Sequence, residues 1–333
     1  MKDLLAVATI IVFLGLGCGR SSGPSVEWAK SKMIAGKEQG LSHVSGLVVD
    51  DMSAFVTIGG TVADTNEGTS GLRKIALDTG TATNVENGEK MPQSETGGMV
   101  SDDKYVYWNG GGNILRIAKD NGKPEVVASE NVGIGLDMAV DGEKIYWANH
   151  GYYSPNSPSV PKPIYSVPKK GGKVEIFADQ QNGPSNVSVD DKFIYWCTPS
   201  SILKQAKTGG SQPEVVFQAT NAEGVDVLEQ DSDNLYFGFR EAGGSRWALR
   251  KISKNGGESQ TLVKTFSLKP FVIDDQNIYF FDEDGMMADA VCKIAKSGGD
   301  VVKIDTGYSS GVITQTKKKV FFGSLDTVYS IDK

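Results

Sequence analysis

The stretch DDKYVYWNGGGNILRIAKDNGK at residues 102–123 carries the pattern that organises this chain. It consists of an acidic turn, a short apolar run ending in two aromatics, a second apolar run, a lysine and a glycine turn. The same order returns from Asp141 to Gly172 and again from Asp190 to Gly210. Each copy of such a repeat must stack on its neighbours to bury its faces, so the repeat predicts the architecture.

The spacing of the repeat is that of propeller blades. The first aromatic of each doublet, or its counterpart, recurs at intervals of 52, 39, 49, 41, 43 and 42 residues. These positions are Phe55, Tyr107, Tyr146, Tyr195, Tyr236, Tyr279 and Phe321. Four-stranded blades are about 40–45 residues long, whereas leucine-rich, ankyrin and tetratricopeptide units are shorter. The runs are rich in β-branched and aromatic residues and bounded by glycine turns, which favours strands over helices.

Each copy reads as four strands, a to d. In the second copy we predict them near Gly98–Ser101, Tyr105–Asn109, Ile114–Lys119 and Glu125–Ser129. The chain is thus predicted to be an all-β, seven-bladed β-propeller of four-stranded antiparallel blades. Six blades is the alternative if the first copy is irregular.

The seventh copy lacks a fourth strand, and the N-terminus supplies a candidate. Lys32–Leu47 resembles Val174–Val189, which reads as a d strand followed by the next a strand. We therefore expect a strand near Met33 to complete the last blade beside Val328. Pairing the two ends of the chain in this way closes a ring and leaves only short, protected edges.

The first residues, MKDLLAVATIIVFLGLGCGRSS, resemble a bacterial lipoprotein signal. Leu4–Leu16 is an apolar run of 13 residues, which suits a signal peptide and is short for a membrane span. A small residue, Gly17, precedes Cys18, the predicted lipidation site. The boundaries are then a signal peptide at 1–17, a flexible tether at 18–31 and one propeller domain at 32–333. This places the protein in the cell envelope, lipid-anchored (in the outer membrane of a Gram-negative cell); ordinary secretion is the alternative.

Composition limits the partners. The formal net charge is −7 and no basic stripe is present, so nucleic acid is not an expected partner. Of the three cysteines, Cys18 is assigned to the lipid. Cys197 and Cys292 fall in blades that are not neighbours, so we expect two buried thiols rather than a disulfide.

The doublets Tyr107-Trp108, Tyr146-Trp147 and Tyr195-Trp196 resemble the YWTD propeller repeats of the lipoprotein-receptor class. The resemblance covers about residues 45–333 as a repeat pattern. The Thr-Asp half of the motif is absent, and that class has six blades. The resemblance implies a propeller with a binding role, and it transfers no functional residue.

Long insertions between strands b and c mark a candidate binding face, because repeat proteins place variable insertions on one face. The insertions are Ile58–Gly71, Ala148–Lys162, Gly238–Trp247 and Phe281–Ala290. Polar and aromatic loop residues often serve recognition. The candidate ligand-binding residues are Asn149, His150, Tyr152, Tyr153, Arg240, Arg246 and Trp247. The d–a junctions add His43 and Asn186 to the same face.

Metal chemistry has little support in the sequence. His43 and His150 are the only histidines, and they lack ligand spacing. Asp282-Glu283-Asp284-Gly285, with Asp289 beyond, resembles a calcium loop without its distal glutamate. We predict no metal site and no cofactor. Acids such as Asp102, Asp190 and Asp274 recur in nearly every copy, which favours a role in capping turns.

The sequence contains no Gly-x-Ser-x-Gly, phosphate-loop or His-Glu-x-x-His motif, and we assign no catalytic residue. The leading hypothesis is a surface- or periplasm-exposed lipoprotein. It would bind a protein partner or a glycan through the loop face of the propeller, without catalysis. The alternatives are an exported hydrolase or lyase with a site at the ring mouth, and a purely structural envelope component.

Overall fold

Seven four-stranded antiparallel sheets follow one another along the chain in the computed structural model. The structure describes residues 31–58, 71–85, 98–110, 112–120, 122–130, 132, 137–148, 161–219, 222–241, 243–244, 246–265, 270–283, 289–308 and 311–333. Within those ranges the only helix is one 3-10 turn, Lys37–Gln39. None of the described residues forms a helix with the length and apolar character needed to cross a bilayer.

The chain begins with β1 (Lys32–Ala35), and six blades of four consecutive strands follow. Blade 1 comprises β2 (Val44–Val49), β3 (Ser53–Ile58), β4 (Gly71–Ala76) and β5 (Ala82–Val85). Blade 2 comprises β6 (Met99–Ser101), β7 (Tyr105–Gly110), β8 (Asn113–Ala118) and β9 (Glu125–Ala128). Blade 3 comprises β10 (Asp137–Val140), β11 (Lys144–Ala148), β12 (Lys162–Pro168) and β13 (Glu175–Gln181). Blade 4 comprises β14 (Ser185–Val189), β15 (Phe193–Cys197), β16 (Ser201–Ala206) and β17 (Glu214–Gln218). Blade 5 comprises β18 (Ala222–Gln230), β19 (Asn234–Glu241), β20 (Trp247–Ser253) and β21 (Gln260–Thr265). Blade 6 comprises β22 (Val272–Ile273), β23 (Asn277–Glu283), β24 (Asp289–Ala295) and β25 (Val302–Tyr308). Blade 7 holds β26 (Ile313–Gln315), β27 (Lys319–Ser324), β28 (Thr327–Asp332) and β1.

The N-terminal strand closes the ring. β1 pairs antiparallel with β28, with Met33 opposite Tyr329 and Ala35 opposite Val328. The innermost strands of successive blades contact one another around a central channel, and β26 contacts β2. These contacts confirm seven blades and the predicted completion of the last blade, and they exclude the six-bladed alternative.

The strand order gives the ring two different ends. In every blade strand a is innermost and strand d is outermost. Because neighbouring strands run antiparallel, the a–b and c–d turns lie at one end, which we call the turn face. The b–c loops and the d–a connections lie at the other end, which we call the loop face.

The Tyr-Trp doublet builds the interfaces between blades. Successive side chains of a strand point to opposite faces, so each member of a doublet meets a different neighbouring blade. Trp108 packs with Phe55 of blade 1, whereas Tyr107 packs with Met138 and Ile145 of blade 3. Both side chains are fully buried. The described residues group into an apolar core at each junction between blades, so the blades depend on one another for their burial.

An acid in the a–b turn fastens each of five blades to the next. Asp190 accepts hydrogen bonds from the N–H groups of Lys192 and Phe193 and, at 2.9 Å, from the Tyr195 hydroxyl. The Nζ of Lys254, in the next blade, lies 2.8 Å from the same carboxylate. We call this arrangement the aspartate latch. The other latches are Asp102–Lys169, Asp141–Lys207, Asp231–Lys296 and Asp274–Lys333. The turn-capping role predicted for Asp102, Asp190 and Asp274 is confirmed.

The latch lowers the pKa of its carboxyl group. Burial alone would raise the pKa of Asp190, but the Lys254 ammonium, two main-chain N–H groups and the Tyr195 hydroxyl lower that pKa to about 2. The same causes lower the pKa of Asp102 to about 2. The latch therefore favours the ionised carboxylate in the folded ring.

The junction between blades 7 and 1 replaces the latch with apolar packing. Thr316 stands in the place of the aspartate, Phe321 in that of the tyrosine and Leu77 in that of the lysine. The correspondence holds in the backbone, because the Leu77 N–H donates to the Met52 carbonyl as latch lysines do at their own a–b turns. Leu77 and Ile34 pack against the core that contains Phe321. The ring thus closes through an apolar contact and a strand pair.

Cys197 and Cys292 are buried free thiols, as predicted. Burial raises the pKa of the Cys292 thiol to about 12 and that of Cys197 well above its ordinary value. Neither thiol therefore carries thiolate character at neutral pH.

Gly80→Ala tests the closure. Gly80 has φ 70, and a Cβ there would lie 2.5 Å from the Ile34 carbonyl oxygen of β1. The matched control is Gly209→Ala, which has φ 76 in the c–d turn of blade 4 with open space around it. Both variants carry the left-handed penalty of about 1–2 kcal/mol. Only Gly80→Ala should lose about 1–3 kcal/mol more, because it collides with the closing strand. Equal denaturant midpoints for the two variants would count against this packing.

Asp190→Asn tests the latch. We expect a loss of about 1–3 kcal/mol in the free energy of unfolding at neutral pH, since the Lys254 and Tyr195 partners are left unmatched. Because the pKa of Asp190 is lowered in the folded state, this stabilisation is complete above about pH 4 and disappears as the pH falls towards 2. Urea midpoints measured across that range should show the gap between wild type and variant closing. Asp191→Asn, in the same exposed turn, is the control and should change little.

Candidate functional site

Three of the predicted ligand-binding residues lie within the described chain. Arg240 lies near the end of β19 and Trp247 begins β20, and Arg246 lies in the b–c connection between these strands of blade 5, on the loop face. Asn149, His150, Tyr152 and Tyr153 lie outside the described residues, so their placement stays a prediction.

The strands of blades 5 and 6 run further than the sequence predicts. The expected insertion at Gly238–Trp247 is shorter, because β19 continues to Glu241 and β20 begins at Trp247. Arg240 is therefore a strand residue, opposite Gly224 of β18. In blade 6, pairing likewise extends as far as Glu283 opposite Asp289. Continued antiparallel pairing fixes these backbones as far as Glu241 in blade 5 and Glu283 in blade 6.

Trp247 and Arg240 form a stacked pair at the loop face. The Arg240 guanidinium carbon lies 5.5 Å from the centroid of the Trp247 ring, within the range of a cation–π contact. The six-membered part of the indole reaches over Gly224, where an added Cβ would lie 3.0 Å from Cη2. Glycine on the inner strand therefore makes room for the indole, which stays partly exposed. Two of the predicted candidates thus meet beside the mouth of the channel.

Beside this pair, a hydrogen-bonded polar chain links the inner strands of three blades. Asn186 of β14 donates its main-chain N–H to an oxygen of Asp137 on β10 at 2.9 Å. Its side-chain amide donates to the Asp226 carboxylate on β18. Asp226 is exposed. It lies two residues after Gly224, the glycine that the Trp247 indole covers. We call Trp247, Arg240, Asp226, Asn186 and Asp137 the mouth cluster.

Backbone strain accompanies the mouth cluster. Val227 has φ 49, a left-handed conformation that a β-branched residue rarely adopts, and it forms a bulge in β18. Asn186 has φ 48 at the matching position of β14. Such residues cost about 1–3 kcal/mol each and concentrate at functional sites. The Val227 bulge presents the Asp226 carboxylate, which accepts the Val227 N–H at 2.9 Å.

One further acid lies on the same inner strand. Burial raises the pKa of the Glu229 carboxyl to about 7. Its counterparts in other blades are apolar or small, for example Val48, Val100 and Ala139. A carboxyl that is half protonated near neutral pH can donate or accept a proton.

The remaining predicted features, His43 and the acidic segment at 282–289, lie only partly within the described residues. His43 precedes β2 with φ 41. Asp282 and Asp289 lie in strands β23 and β24, while the loop between them at 284–288 is outside the described residues. The described residues contain no group of three or more histidine, cysteine, aspartate or glutamate side chains able to hold a metal ion.

Sequence reasoning missed Asp137 and Asp226 because it searched loops for ligand-binding residues. Both lie in inner strands, where most copies carry an apolar residue or glycine, such as Gly46 and Gly98. The available signal was this departure from the repeat.

Comparison with known proteins shows the fold alone. No protein family and no curated protein matches the chain. Among solved structures, it is similar to an oligogalacturonate lyase from Vibrio parahaemolyticus (10% identity, 92% of this chain and 94% of that one, TM-score 0.67). It is also similar to a puromycin-hydrolysing peptidase from Mycobacterium tuberculosis (13%, 94% and 55%, TM-score 0.64). A third likeness is to a chain of the nidogen/laminin complex (16%, 72% and 90%, TM-score 0.52).

These neighbours include propellers of both enzymatic and binding proteins. At such low identity they support the β-propeller and leave its function open. The nidogen likeness is in keeping with the YWTD-type pattern at the level of fold, and membership of the YWTD family stays a prediction.

Proposed function

We propose that this protein is a lipid-anchored envelope protein that binds a protein partner or a glycan through the loop face of its ring. The observation that carries the proposal is the mouth cluster. The left-handed backbone at Asn186 and Val227 positions the Asn186 and Asp226 side chains, although the repeat builds other blades without them. A partly exposed aromatic beside planar polar groups is a common design for a recognition site.

The binding site gives a direct test. We expect Trp247→Ala to weaken binding about 30-fold or more, as loss of a central aromatic contact does. Asn186→Gly should also weaken binding while keeping the fold, because glycine tolerates the left-handed backbone. Suitable measurements are titration against an array of neutral and acidic oligosaccharides, and photo-crosslinking from position 246 in envelope extracts.

Two controls frame that experiment. Leu325→Ala removes an exposed apolar side chain from the loop face at blade 7 and should leave binding intact. A crosslinker at Val215, on the outer edge of blade 4, should capture nothing specific. Binding that survives both Trp247→Ala and Asn186→Gly would contradict a site at the mouth cluster.

The proposed anchor is tested separately. Cys18→Ser should abolish incorporation of an alkyne-tagged fatty acid, because Cys18 would be the acylated residue. Cys197→Ser should retain the label, since that thiol is buried. An unlabelled wild-type protein in the culture medium would instead support ordinary secretion.

One observation favours the alternative, an exported hydrolase or lyase. The Glu229 carboxyl, with its pKa raised to about 7, is suited to general acid or base catalysis. It lies on β18, three residues from Asp226. The oligosaccharide array separates the two functions. Product released by wild type and lost in Glu229→Gln would support catalysis, whereas binding without product supports recognition.

A further inference from the structure

The a–b turn of blade 7 reverses the charge that the other turns carry. Six turns begin with an aspartate at the inner end of the turn face. They are Asp50-Asp51, Asp102-Asp103, Asp141-Gly142, Asp190-Asp191, Asp231-Ser232 and Asp274-Asp275. The corresponding turn of blade 7 is Thr316-Lys317-Lys318-Lys319. A basic sector therefore interrupts an otherwise acidic ring of turns.

Two lysine side chains of this sector make no hydrogen bond or ion pair within the described chain. Lys317 and Lys318 are exposed, and their ammonium groups have no partner among the described residues. Lys319 pairs with Asp332 at 2.7 Å, and Lys333 pairs with Asp274 at 3.2 Å.

Among the described residues, Lys293 of blade 6 lacks the contact with the next blade that its counterparts make. Its counterparts Lys74, Arg116, Lys204 and Lys251 each donate to a main-chain carbonyl of the next blade. Within the described chain, Lys293 makes no such bond. Together with Lys317 and Lys333 it lines an open groove of about 880 Å³ between blades 6 and 7. The acids facing the same groove are Asp274, which Lys333 neutralises, and Asp275.

The adjoining turn of blade 1 adds an apolar side chain. Met52 is 75% exposed at the turn face, next to blade 7 in the ring. The Asp50 carboxylate beside it accepts the N–H groups of Met52 and Ser53. Asp51 and Asp78 of blade 1 and the exposed Asp300, in the c–d turn of blade 6, are further acids at the edge of this sector. An exposed apolar side chain on the turn of the neighbouring blade suits a lipid interface, where apolar groups enter the bilayer and cations meet the headgroups.

The chain enters the ring at the same pair of blades. The Ser31 N–H donates to the Asp305 carboxylate of blade 6 at 2.8 Å, and the Ser31 hydroxyl contacts that of Tyr308. β1 then joins blade 7. The 13 residue-to-residue steps from Cys18 to Ser31 can span at most about 45 Å, so an acylated Cys18 would keep this sector near the bilayer.

We propose that the basic sector, defined by Lys293, Lys317, Lys318 and Met52, docks onto an anionic lipid surface, whereas the acidic remainder of the turn face does not. The loop face, with its mouth cluster, then points away from the membrane towards its partner. The orientation rests on the anchoring proposed above, whereas the lipid affinity belongs to the ring itself. Each lysine near an anionic surface contributes about fivefold in affinity, and salt screens the effect.

Vesicle flotation tests the docking. The non-acylated chain from Ser31 to Lys333 is suitable, because it contains every contact that closes the ring. We expect it to bind vesicles of phosphatidylcholine mixed with phosphatidylglycerol, to ignore phosphatidylcholine alone, and to dissociate as salt rises. The double variant Lys317→Gln/Lys318→Gln should bind about 25-fold more weakly.

The matched control removes the same charge elsewhere on the turn face. Lys104 and Lys170 are exposed lysines that line a groove of about 790 Å³ between blades 2 and 3. Lys104→Gln/Lys170→Gln should stay within twofold of wild type. An equal loss in both double variants, or no preference for anionic vesicles, would overturn the proposal.

A dye measurement checks which surface touches the lipid. An environment-sensitive dye on Met52→Cys should shift to the blue when anionic vesicles are added, whereas the same dye on Val215→Cys, at the outer edge, should not. The native Cys197 and Cys292 are buried and should not react. A blue shift at Val215 instead would place another surface on the membrane and overturn the proposal. Loss of Cys18 acylation with intact vesicle binding would refute the anchor and leave the docking surface standing.

Discussion

The pairing of β1 with β28 is the contact on which the rest of this structure depends. Every blade buries its two faces only against its neighbours, so an open stack would expose an apolar face at each end. The strand pair converts the first and last blades into neighbours, and the core around Phe321 and Leu77 seals their junction. Five other junctions add a charged fastening at the turn face, where Asp, Tyr and Lys meet. The closing junction has uncharged residues, Thr316, Phe321 and Leu77, at the same three positions.

The fold could be predicted because a repeat exposes its own rules. The Tyr-Trp doublet alternates across a strand, so it predicted buried strands without any knowledge of tertiary contacts. Residues 32–47 could be matched to a d–a segment because that segment occurs elsewhere in the chain. The recurrence of Asp190 and Lys207 was also visible. That each aspartate pairs with the lysine of the following blade was not, since the pairing depends on how far one blade turns against the next.

The site was predicted less well, for physical reasons. Loop length predicted a site at the end of blade 5 where Arg240 and Trp247 meet, but the strands run further than turn residues suggested. The bulge at Val227 has no sequence signal, because a valine there reads as an ordinary strand residue. It is the surrounding pairing that forces its left-handed backbone and presents Asp226. A polar residue that breaks an apolar repeat is the clue that would have found Asp137 and Asp226.

The two proposed functions, partner binding and lipid docking, lie at opposite ends of the ring. The loop face holds a preorganised polar and aromatic cluster, and the turn face holds the latches and one basic sector. Both depend on a closed circle, which hydrogen exchange measures most directly. We predict that amides of Lys32–Ala35 bonded to β28 exchange as slowly as those of β27, through opening of the whole ring. Exchange of β1 at the rate of a free peptide, with the other blades still protected, would contradict it.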